Sequence, residues 1–326
     1  MPLDLRQLRY FVAVAEAGAF THAAQTLNVA QSALSHHLRI MEEELGTPLL
    51  ERRARGVVLT SAGQRLYEHS KAILSSVKKA EADIKTFSEV PTGTVSIGFA
   101  HTAVDLVVLP FILAVREQLP GIILHISEGL SITNVNKVLS GDIDIAVAYN
   151  TIEDARLSSR PLLTEEMCLV GKPDIVGKDR EPIAFSDLPK QPIIAAYPAG
   201  SLRAIVDSHA LRSKVKPSEM LEIDSLATLR KAMQHGIGCS ILSRASVSEQ
   251  LRVGTLSARP IVSPELFRTL EQVSLKERPH SRAFEEVAKV LTSVILNQAQ
   301  LGHWICRDVF PTPPRRQLST DNKPSG

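Results

Sequence analysis

Apolar residues recur at helical spacing near the start of the chain and predict two helices. The first helix has the apolar positions Leu5, Leu8, Phe11, Val12 and Ala15. Gly18 is a suitable residue to end it. The second helix runs from about residue 21 to 27 and contains Ala23 and Ala24, which leave room for another helix to cross closely. Asn28 follows and tolerates the left-handed backbone of a tight turn, so the order predicts a helix-turn-helix.

A third helix is predicted from about residue 31 to 44, and its two faces differ in character. Its apolar stripe consists of Leu34, Leu38, Met41 and Leu45. At about 100° per residue, Ser32, His36 and Arg39 point away from that stripe, and Ser35 lies on its flank. Hydroxyl and imidazole groups suit base edges in a major groove, and a guanidinium suits a phosphate or a guanine. Any surface helix also presents polar groups to solvent, so the pattern alone leaves both interpretations open.

The segment LLERRARGVVLT, which follows Gly46 and Pro48, reads as a strand, a tight turn and a second strand. Arg52, Arg53 and Arg55 cluster at the turn. A two-stranded wing that carries arginines beside a helix-turn-helix is suited to grip the phosphate backbone or to enter a minor groove.

These three segments together resemble the winged helix-turn-helix of the LysR-type transcriptional regulators. The runs that carry the resemblance are LRQLRYFVAVAEAGAFTHAA, VAQSALSHHLRIMEEELG and LLERRARGVVLTSAG. The resemblance implies a double-stranded DNA operator as partner. The candidate DNA-contacting residues are Thr21, His22, Gln31, Ser32, Ser35, His36, Arg39, Arg52, Arg53 and Arg55. Ala30 departs from the family, which often has a capping hydroxyl residue there, so about 1 kcal/mol of capping is expected to be absent.

A long helix is predicted from Ser61 to about residue 89. Ser61-Ala62-Gly63-Gln64 fits a capping box, and Thr60 is a rival cap. Spacings of four and three, typical of a coiled-coil seam, separate Leu66, Ser70, Ile73, Val77, Ala80, Ile84 and Phe87. The resemblance implies that the Leu66–Phe87 helix joins two chains into a dimer, which would present two recognition helices to a two-fold symmetric operator. A contact with the chain's own domains is the alternative.

Beyond Pro91-Thr92-Gly93 the pattern changes to strands that alternate with helices. VSIGF, IILHIS and IDIAVAY form one series of strands, and MCLVG, PIIAAY, LEI and CSILS form another. Such βαβ units predict a parallel or mixed sheet covered by helices. In the family the last strand, LEQVSLK, and the helix from Ser281 to Asn297 return to the first series. The resemblance therefore implies two α/β lobes joined by two crossovers, as in a periplasmic binding protein.

The chain is thus predicted to be an α+β multidomain protein. The expected domains are a winged helix-turn-helix over residues 1–60, a linker and dimerisation helix over 61–90, and a two-lobed effector domain over 94–298. One lobe combines 94–160 with 267–298, and the other comprises 161–266. Residues 299–326, rich in Pro, Ser and charge towards their end, are predicted to be a disordered tail. Trp304 is expected to pack on the last helix or to mark a dimer contact.

Ligands of open α/β sheets bind beyond the carboxyl ends of the strands. This rule selects loops whose candidate effector contacts are His101, Thr102, Ser131, Thr133, Tyr149, Tyr197, Ser201 and Arg203. Ser201 precedes a helix whose N-terminal amide groups suit a carboxylate, and Arg203 would add positive charge. Helix capping is the alternative for each hydroxyl group, and a surface ion pair for Arg203. His101 replaces a small hydroxyl residue often found there in the family, which leaves the polarity of the effector open.

Composition narrows the class of protein. A chain of 326 residues is too long for one compact core, and contents of 44% apolar and 22% charged residues are ordinary for a globular protein. The sequence shows neither a secretory signal nor a run of about 20 apolar residues, so we expect a cytoplasmic location and no membrane contact. The three cysteines form no CxxC pair, which argues against disulfides and zinc. With a net charge of +2, any case for DNA binding depends on where the charges lie.

The leading hypothesis is a LysR-type transcriptional regulator, without a cofactor, whose DNA binding responds to a small organic effector held between the two lobes. SIGFA, SGDIDIAVAY and DSLATL resemble the nitrogen assimilation control branch. The family resemblance also implies a tetramer and contact with RNA polymerase.

An enzyme is the first rival hypothesis, but the sequence has no G-x-S-x-G, H-E-x-x-H, P-loop or G-x-G-x-x-G motif. Ser75-x-x-Lys78 matches the S-x-x-K pattern of serine acylating enzymes, but it lies within a continuous helix and is read as accidental. A ligand-binding protein without DNA function is the second rival, which the N-terminal module disfavours.

Overall fold

The computed structural model describes residues 3–53, 56–85, 91–196, 204–208, 211, 219–277 and 280–310. Its helices are α1 (Leu5–Ala17), α2 (Phe20–Leu27), α3 (Gln31–Leu45), α4 (Ser61–Lys85), α5 (Val104–Gln118), α6 (Ser131–Leu139), α7 (Pro173–Val176), α8 (Leu226–Gln234), α9 (Ser248–Arg252) and α10 (Arg282–Gln300). Its strands are β1 (Leu50–Arg53), β2 (Gly56–Leu59), β3 (Gly93–Ala100), β4 (Ile122–Gly129), β5 (Ile145–Tyr149), β6 (Leu157–Gly171), β7 (Ile183–Ala184), β8 (Ile193–Ala196), β9 (Glu219–Ile223), β10 (Ser240–Ser243), β11 (Ser257–Val262), β12 (Phe267–Leu275) and β13 (Asp308–Val309).

The first three helices form a small domain with its own core. A capping box starts α1, because the Asp4 carboxylate accepts from the Gln7 backbone N–H at 2.7 Å while the Gln7 side chain accepts from the Asp4 N–H at 2.9 Å. The predicted apolar stripe of α3 is buried at three of its positions, and it packs on the two alanines of α2; the buried residues are Ala23, Ala24, Leu34, Leu38 and Met41. Ala30 makes no side-chain cap at the start of α3, as the sequence predicted.

The wing is an antiparallel pair in which Leu50 faces Leu59. The start of α4 differs from one of our two expectations: the Thr60 hydroxyl accepts the Gly63 backbone N–H at 2.9 Å. Thr60, the rival, is therefore the cap, and the box starting at Ser61 is wrong, because Thr60 alone stands one residue ahead of the helix. The helix continues to Lys85, and the predicted extension over residues 86–90 lies outside the described residues.

The first lobe is built on a mixed sheet with the strand order β4-β3-β5-β12-β6. The strands β3, β4 and β5 run parallel, whereas β12 is antiparallel to both β5 and β6. One face packs against α5 and α10 in a core that includes Phe99, Phe111 and Leu291. The carboxyl ends of β3, β4 and β5 therefore meet along one edge of the lobe.

The second lobe is reached through β6, the longest strand of the described chain. The first half of β6 pairs with β12, and its second half pairs with β10 and β11. The strand β12 then carries the chain back, so β6 and β12 are the two crossovers between the lobes. The second lobe buries its own apolar core, which includes Leu169, Phe185 and Leu242. The predicted two-lobed α/β architecture is confirmed.

The expected disordered tail is wrong for residues 299–310. The backbone N–H groups of Arg307 and Phe310 donate to the carbonyls of Thr164 and Leu162, at 2.7 and 2.9 Å, so β13 adds a strand to the free edge of β6. Composition did not predict this pairing, because the Pro-rich end determines the average composition of residues 299–326 and the strand itself is only two residues long. Residues 311–326 lie outside the described residues.

Candidate nucleic-acid interface and effector cleft

The exposed face of α3 carries the polar groups that the sequence singled out. Gln31, Ser32, His36 and Arg39 are exposed and Ser35 is half-buried. Their orientation follows from helical periodicity, because the apolar stripe of α3 is turned into the core of the domain. Arg39 forms an ion pair with Glu43 on the next turn, and both side chains remain more than half exposed.

A shallow depression of about 340 Å³ lies between α3 and the beginning of the wing. It is lined by Phe20, Ser32, Ser35, His36, Leu38, Arg39, Glu42 and Leu50. The Glu42 carboxylate accepts the backbone N–H groups of Leu49 and Leu50 at 2.7 and 3.0 Å, which fixes the wing to α3. The depression is therefore rigidly framed and presents hydroxyl, imidazole and guanidinium groups together.

The other predicted DNA-contacting residues lie on two neighbouring elements. Thr21 and His22 are exposed on α2. Arg53 is exposed on β1 and pairs with Glu51 at 3.1 Å. The side chain of Arg52 and the whole of Arg55 lie outside the described residues.

The first-lobe edge of the predicted effector cleft brings together residues from two consecutive loops. The His101 Nδ1 atom lies 2.6 Å from the Glu128 Oε1 atom. The Ser131 hydroxyl accepts the Tyr149 backbone N–H at 3.0 Å, which ties α6 to the end of β5. Thr133 is exposed in the first turn of α6. This edge thus offers an imidazole, a carboxylate and hydroxyl groups.

Two of the predicted effector contacts have buried side chains. Thr102 and Tyr149 are only 5% and 2% exposed. The sequence rule selected them because they end strands at the correct edge of the sheet, but it does not report how deeply each side chain is packed. Tyr197, Ser201 and Arg203 lie outside the described residues.

A buried polar cluster, which we call the hinge cluster, joins the two lobes below this edge; it consists of Tyr149, Glu165, Ser243, Arg268 and Trp304. Arg268 Nε donates to Glu165 Oε2 at 2.7 Å, and Trp304 Nε1 donates to Glu165 Oε1 at 2.6 Å. Arg268 also donates to the Ser243 hydroxyl at 3.0 Å, and its guanidinium lies 3.7 Å from the centre of the Tyr149 ring. Glu165 belongs to β6 and Arg268 to β12, so the cluster fastens both crossovers.

Burial in the hinge cluster changes the chemistry of its groups. Burial raises the pKa of the Tyr149 hydroxyl above its usual range, an effect that Arg268 opposes and Glu165 reinforces. The tyrosine therefore stays neutral at physiological pH. The Glu165 carboxylate is fully buried, and its two donors compensate the cost of removing its charge from water.

Sequence reasoning missed Glu165 and Arg268. The only signal was the presence of charged residues inside two strand-like runs, two glutamates in TEEMCLVG and one arginine in LFRTL. A charged side chain that is buried in a sheet needs a partner. The two residues are 103 positions apart, so no local spacing links them.

A second contact joins the two lobes. The Arg230 guanidinium on α8 is 2.6 Å from the Asp105 carboxylate in the first turn of α5, and Arg230 Nε donates to the Ser246 carbonyl at 2.8 Å. A charged group from the second lobe is thus held against the first lobe.

The cysteines have the properties of core residues. Burial raises the pKa of the Cys168 and Cys239 thiols to about 12, so neither is a thiolate near neutral pH.

Across the part of the chain that the structure describes, no group of three or more His, Cys, Asp or Glu side chains is arranged to hold a metal ion. Over the same residues, no helix is long and apolar enough to cross a membrane.

Comparisons with known proteins match both parts of the chain. Residues 5–64 match the family described as the bacterial regulatory helix-turn-helix protein, lysR family, and residues 88–295 match the LysR substrate binding domain. The nitrogen assimilation regulatory protein Nac of Escherichia coli is 30% identical over 304 residues, which cover 91% of this chain and 98% of that protein.

Solved structures show the same fold at lower identity. A full-length OxyR from Pseudomonas aeruginosa has a TM-score of 0.67 at 22% identity, with 90% of this chain and 94% of that chain covered. A full-length CbnR in complex with its target DNA has a TM-score of 0.52 at 21% identity and covers 90% of this chain and 100% of that chain.

The relatives are named as transcriptional regulators, which decides against the enzyme hypothesis. The exposed polar face of α3, the wing, and the two-lobed domain correspond to the two parts of these regulators. The chain belongs to the LysR family and is a DNA-binding transcriptional regulator with an effector-binding domain.

Proposed function

We propose that the regulator reads its operator with the exposed face of α3. The observation that carries this proposal is the depression beside the wing, in which Ser32, Ser35 and His36 stand together with Arg39. The hydroxyl and imidazole groups contact base edges in the major groove. The exposed Arg39–Glu43 pair contributes little to stability, so a phosphate or a guanine replaces Glu43 at small cost. Gln31, Thr21 and His22 flank this surface.

The wing supplies the electrostatic part of DNA binding in this proposal. Arg53 is exposed and forms an exposed ion pair with the nearby Glu51, which a phosphate can replace at small cost. Arg52 and Arg55 belong to the same proposed surface on the basis of the sequence. Phosphate contacts of this kind position the protein and carry no base information.

A small-molecule effector is proposed to bind between the lobes at the edge formed by His101, Ser131 and Thr133. Support comes from the pairing of His101 with Glu128, which places a donor and an acceptor at the carboxyl ends of β3 and β4. Tyr197, Ser201 and Arg203 form the opposite side in this proposal. Thr102 and Tyr149 support the floor of the site from below.

Self-association is proposed on two surfaces. Ile73, on the predicted seam of α4, is 42% exposed, which suits a dimer formed along this helix. Leu109, Leu113 and Ile123 on the first lobe are 64%, 57% and 60% exposed, a patch that suits a second contact and hence a tetramer. Contact with RNA polymerase and action in the cytoplasm complete the proposal, and both rest on the family.

Genomic footprinting with the purified full-length protein at physiological salt tests the DNA-binding part. The similarity to Nac nominates promoters of nitrogen assimilation genes as the first fragments to examine. We expect protection of an interrupted dyad, since a dimer presents two α3 helices. Diffuse binding that vanishes with rising salt on every fragment would contradict the proposed reading surface.

The effector part can be tested through Trp304, the single tryptophan of the chain. Its indole lies in the hinge cluster and donates to Glu165, so its emission reports changes at the crossovers. We expect one class of small metabolite to shift the emission spectrum with saturation. An effector that saturates DNA release without any change in Trp304 emission would place its site away from the cleft.

A further inference from the structure

The linker helix α4 is not an isolated rod, because one of its faces contacts the first lobe of the same chain. The Ser75 hydroxyl donates to the Gly141 carbonyl at 3.1 Å, and the Lys71 ammonium lies 2.5 Å from the Asp142 carboxylate. Both partners belong to the turn of residues 140–142, which directly follows α6.

The fit between α4 and this turn depends on a small residue. A Cβ atom at position 141 would lie 3.1 Å from the Ala72 Cα atom, and Gly141 has a φ of 75°. Any other residue would both strain the left-handed backbone and press against the helix. The backbone of the turn therefore packs directly on the backbone of α4.

Lys71 also connects α4 to the DNA-binding domain. Its ammonium lies 5.5 Å from the centre of the Tyr67 ring, and the Tyr67 hydroxyl donates to the Glu16 carboxylate on α1 at 3.0 Å. Burial alone would lower the pKa of Lys71, but the hydrogen bond and charge of Asp142 outweigh it and the pKa is raised. Lys71 therefore stays charged at neutral pH, and a row of side chains leads from Glu16 to Asp142.

The opposite end of α6 lies at the proposed effector site. Ser131, the first residue of α6, accepts the Tyr149 backbone N–H, and the last residue, Leu139, adjoins the turn that contacts α4. Nine helical residues thus connect the cleft to Asp142. A displacement of α6 at the cleft moves the turn as well, since a short helix transmits motion as a rigid body.

This contact leaves the middle of the predicted dimer seam accessible. Tyr67, Lys71 and Ser75 follow one another at four-residue spacing, while the exposed Ile73 and the half-buried Val77 lie on roughly the opposite side of the helix. Nearer the start of α4, Leu66 packs against the core of the DNA-binding domain and Ser70 is buried. The same helix can therefore pair with a partner subunit and contact its own first lobe at once.

We propose that the turn of residues 140–142 is a docking surface for the chain's own linker helix, and that the row Glu16–Tyr67–Lys71–Asp142 sets the orientation of the DNA-binding domain relative to the effector domain. The regulatory part of this inference rests on the proposed function. Effector binding changes the position of α6, the docked turn moves α4, and the two α3 helices of a dimer change their spacing. In this proposal the effector and the operator both bias the position of the docked turn, which is what coupling between the sites requires.

Charge reversal tests the docking in the full-length protein. Lys71→Glu and Asp142→Lys each replace an attraction by a repulsion, and the double variant restores a pair of reversed polarity. We expect each single variant to increase amide hydrogen exchange over residues 67–76 about fivefold, in line with loss of one partly buried ion pair. The double variant should return towards the original rates. Lys78→Glu, an exposed lysine further along α4, is the matched control and should change nothing over this segment.

Each outcome is decisive for one part of the inference. Unchanged exchange in both single variants, or no recovery in the double variant, would overturn the docking surface whatever the protein binds. The second readout is DNA bending on an operator fragment recovered by footprinting, where single variants should alter the bend angle and the double variant restore it. Altered exchange together with an unaltered bend angle and affinity would overturn the orienting role. Failure to recover any operator would count against the proposed reading surface on α3 and leave the exchange result standing.

Discussion

At the scale of single residues, His36 offers the sharpest test of how DNA is read. Its imidazole is exposed in the depression beside the wing and contributes nothing to the core. His36→Ala should therefore cost about 1–3 kcal/mol of discrimination between operator and random DNA, with almost no change in the free energy of unfolding. Competition binding at fixed salt measures the discrimination, and urea denaturation measures the stability.

An exposed histidine in the second lobe serves as the control for His36→Ala. His235→Ala changes an exposed histidine of the second lobe and should leave both measurements unaltered. If His36→Ala weakened binding to operator and random DNA by the same factor, the imidazole would be a backbone contact and not a base contact.

Trp304 has a structural role that its position near the end of the chain conceals. Trp304→Phe retains most of the buried ring but removes the N–H that donates to Glu165, so a buried carboxylate loses one of its two donors. We expect a loss of about 1–3 kcal/mol in the free energy of unfolding of the effector domain. Chemical denaturation followed by circular dichroism gives the value.

A double-mutant cycle shows whether the loss comes from the hydrogen bond. In a Glu165→Gln background a neutral amide replaces the carboxylate, so Trp304→Phe should cost clearly less than in the original protein. Leu301→Ala, at an exposed neighbour, should be close to neutral. Equal losses in the two backgrounds would assign the effect to packing alone.

The sequence predicted the faces of residues well where they depend on local spacing. Ser32, His36 and Arg39 face outward because 3.6-residue periodicity turns Leu34, Leu38 and Met41 inward. It failed for Glu165 and Trp304, whose partnership depends on two segments that meet only after the lobes have formed. It also did not predict how deeply the side chains of Thr102 and Tyr149 are buried.

At the scale of elements, the junction between the wing and α4 depends on one glycine. A Cβ atom at Gly63 would lie 1.9 Å from the Leu49 carbonyl oxygen, so the first turn of α4 packs directly on the backbone that enters the wing. Glycine to alanine substitutions inside helices usually stabilise by up to about 1 kcal/mol. Gly63→Ala should instead destabilise the DNA-binding domain, by about 1–3 kcal/mol, because the wing must move.

Thermal melting of residues 1–85 by circular dichroism, together with operator binding, measures both consequences of this change. Ser61→Ala alters an exposed residue of the same turn and should leave the wing in place. A more stable Gly63→Ala domain with normal operator binding would show that the close approach relaxes without cost.

Element types could be predicted more reliably than connections between elements. The bounds of α3 and the start of α4 follow from Gly46, Pro48 and the hydroxyl residues at 60 and 61. The pairing of β13 with β6 could not be predicted, because a two-residue strand has no periodicity and its stability comes from the edge that it covers. The two crossovers were predicted from the family resemblance alone, because strand patterns do not specify which sheet a strand joins.

At the scale of the whole molecule, the two exposed apolar surfaces suggest that assembly proceeds in two separable steps. The α4 seam lies between the DNA-binding and effector domains, whereas Leu109, Leu113 and Ile123 lie on the first lobe. A long helix can contact its partner along its whole length, so we expect the dimer to be the tighter association. Only the dimer is needed to present two α3 helices to a dyad.

Arginine substitutions on the two surfaces should therefore have different effects. Leu113→Arg should convert tetramers into dimers that still bind one dyad, because the α4 seam remains intact. Ile73→Arg should produce monomers and lower operator affinity by a factor of about 100 or more, since a bound half-site no longer recruits its neighbour. Sedimentation velocity with parallel operator titration measures both effects, and Glu181→Arg, which places an arginine on an exposed loop of the second lobe, is the control. If Ile73→Arg left the dimer intact while Leu113→Arg dissociated it, the first lobe would hold the dimer and α4 would serve mainly to connect the domains.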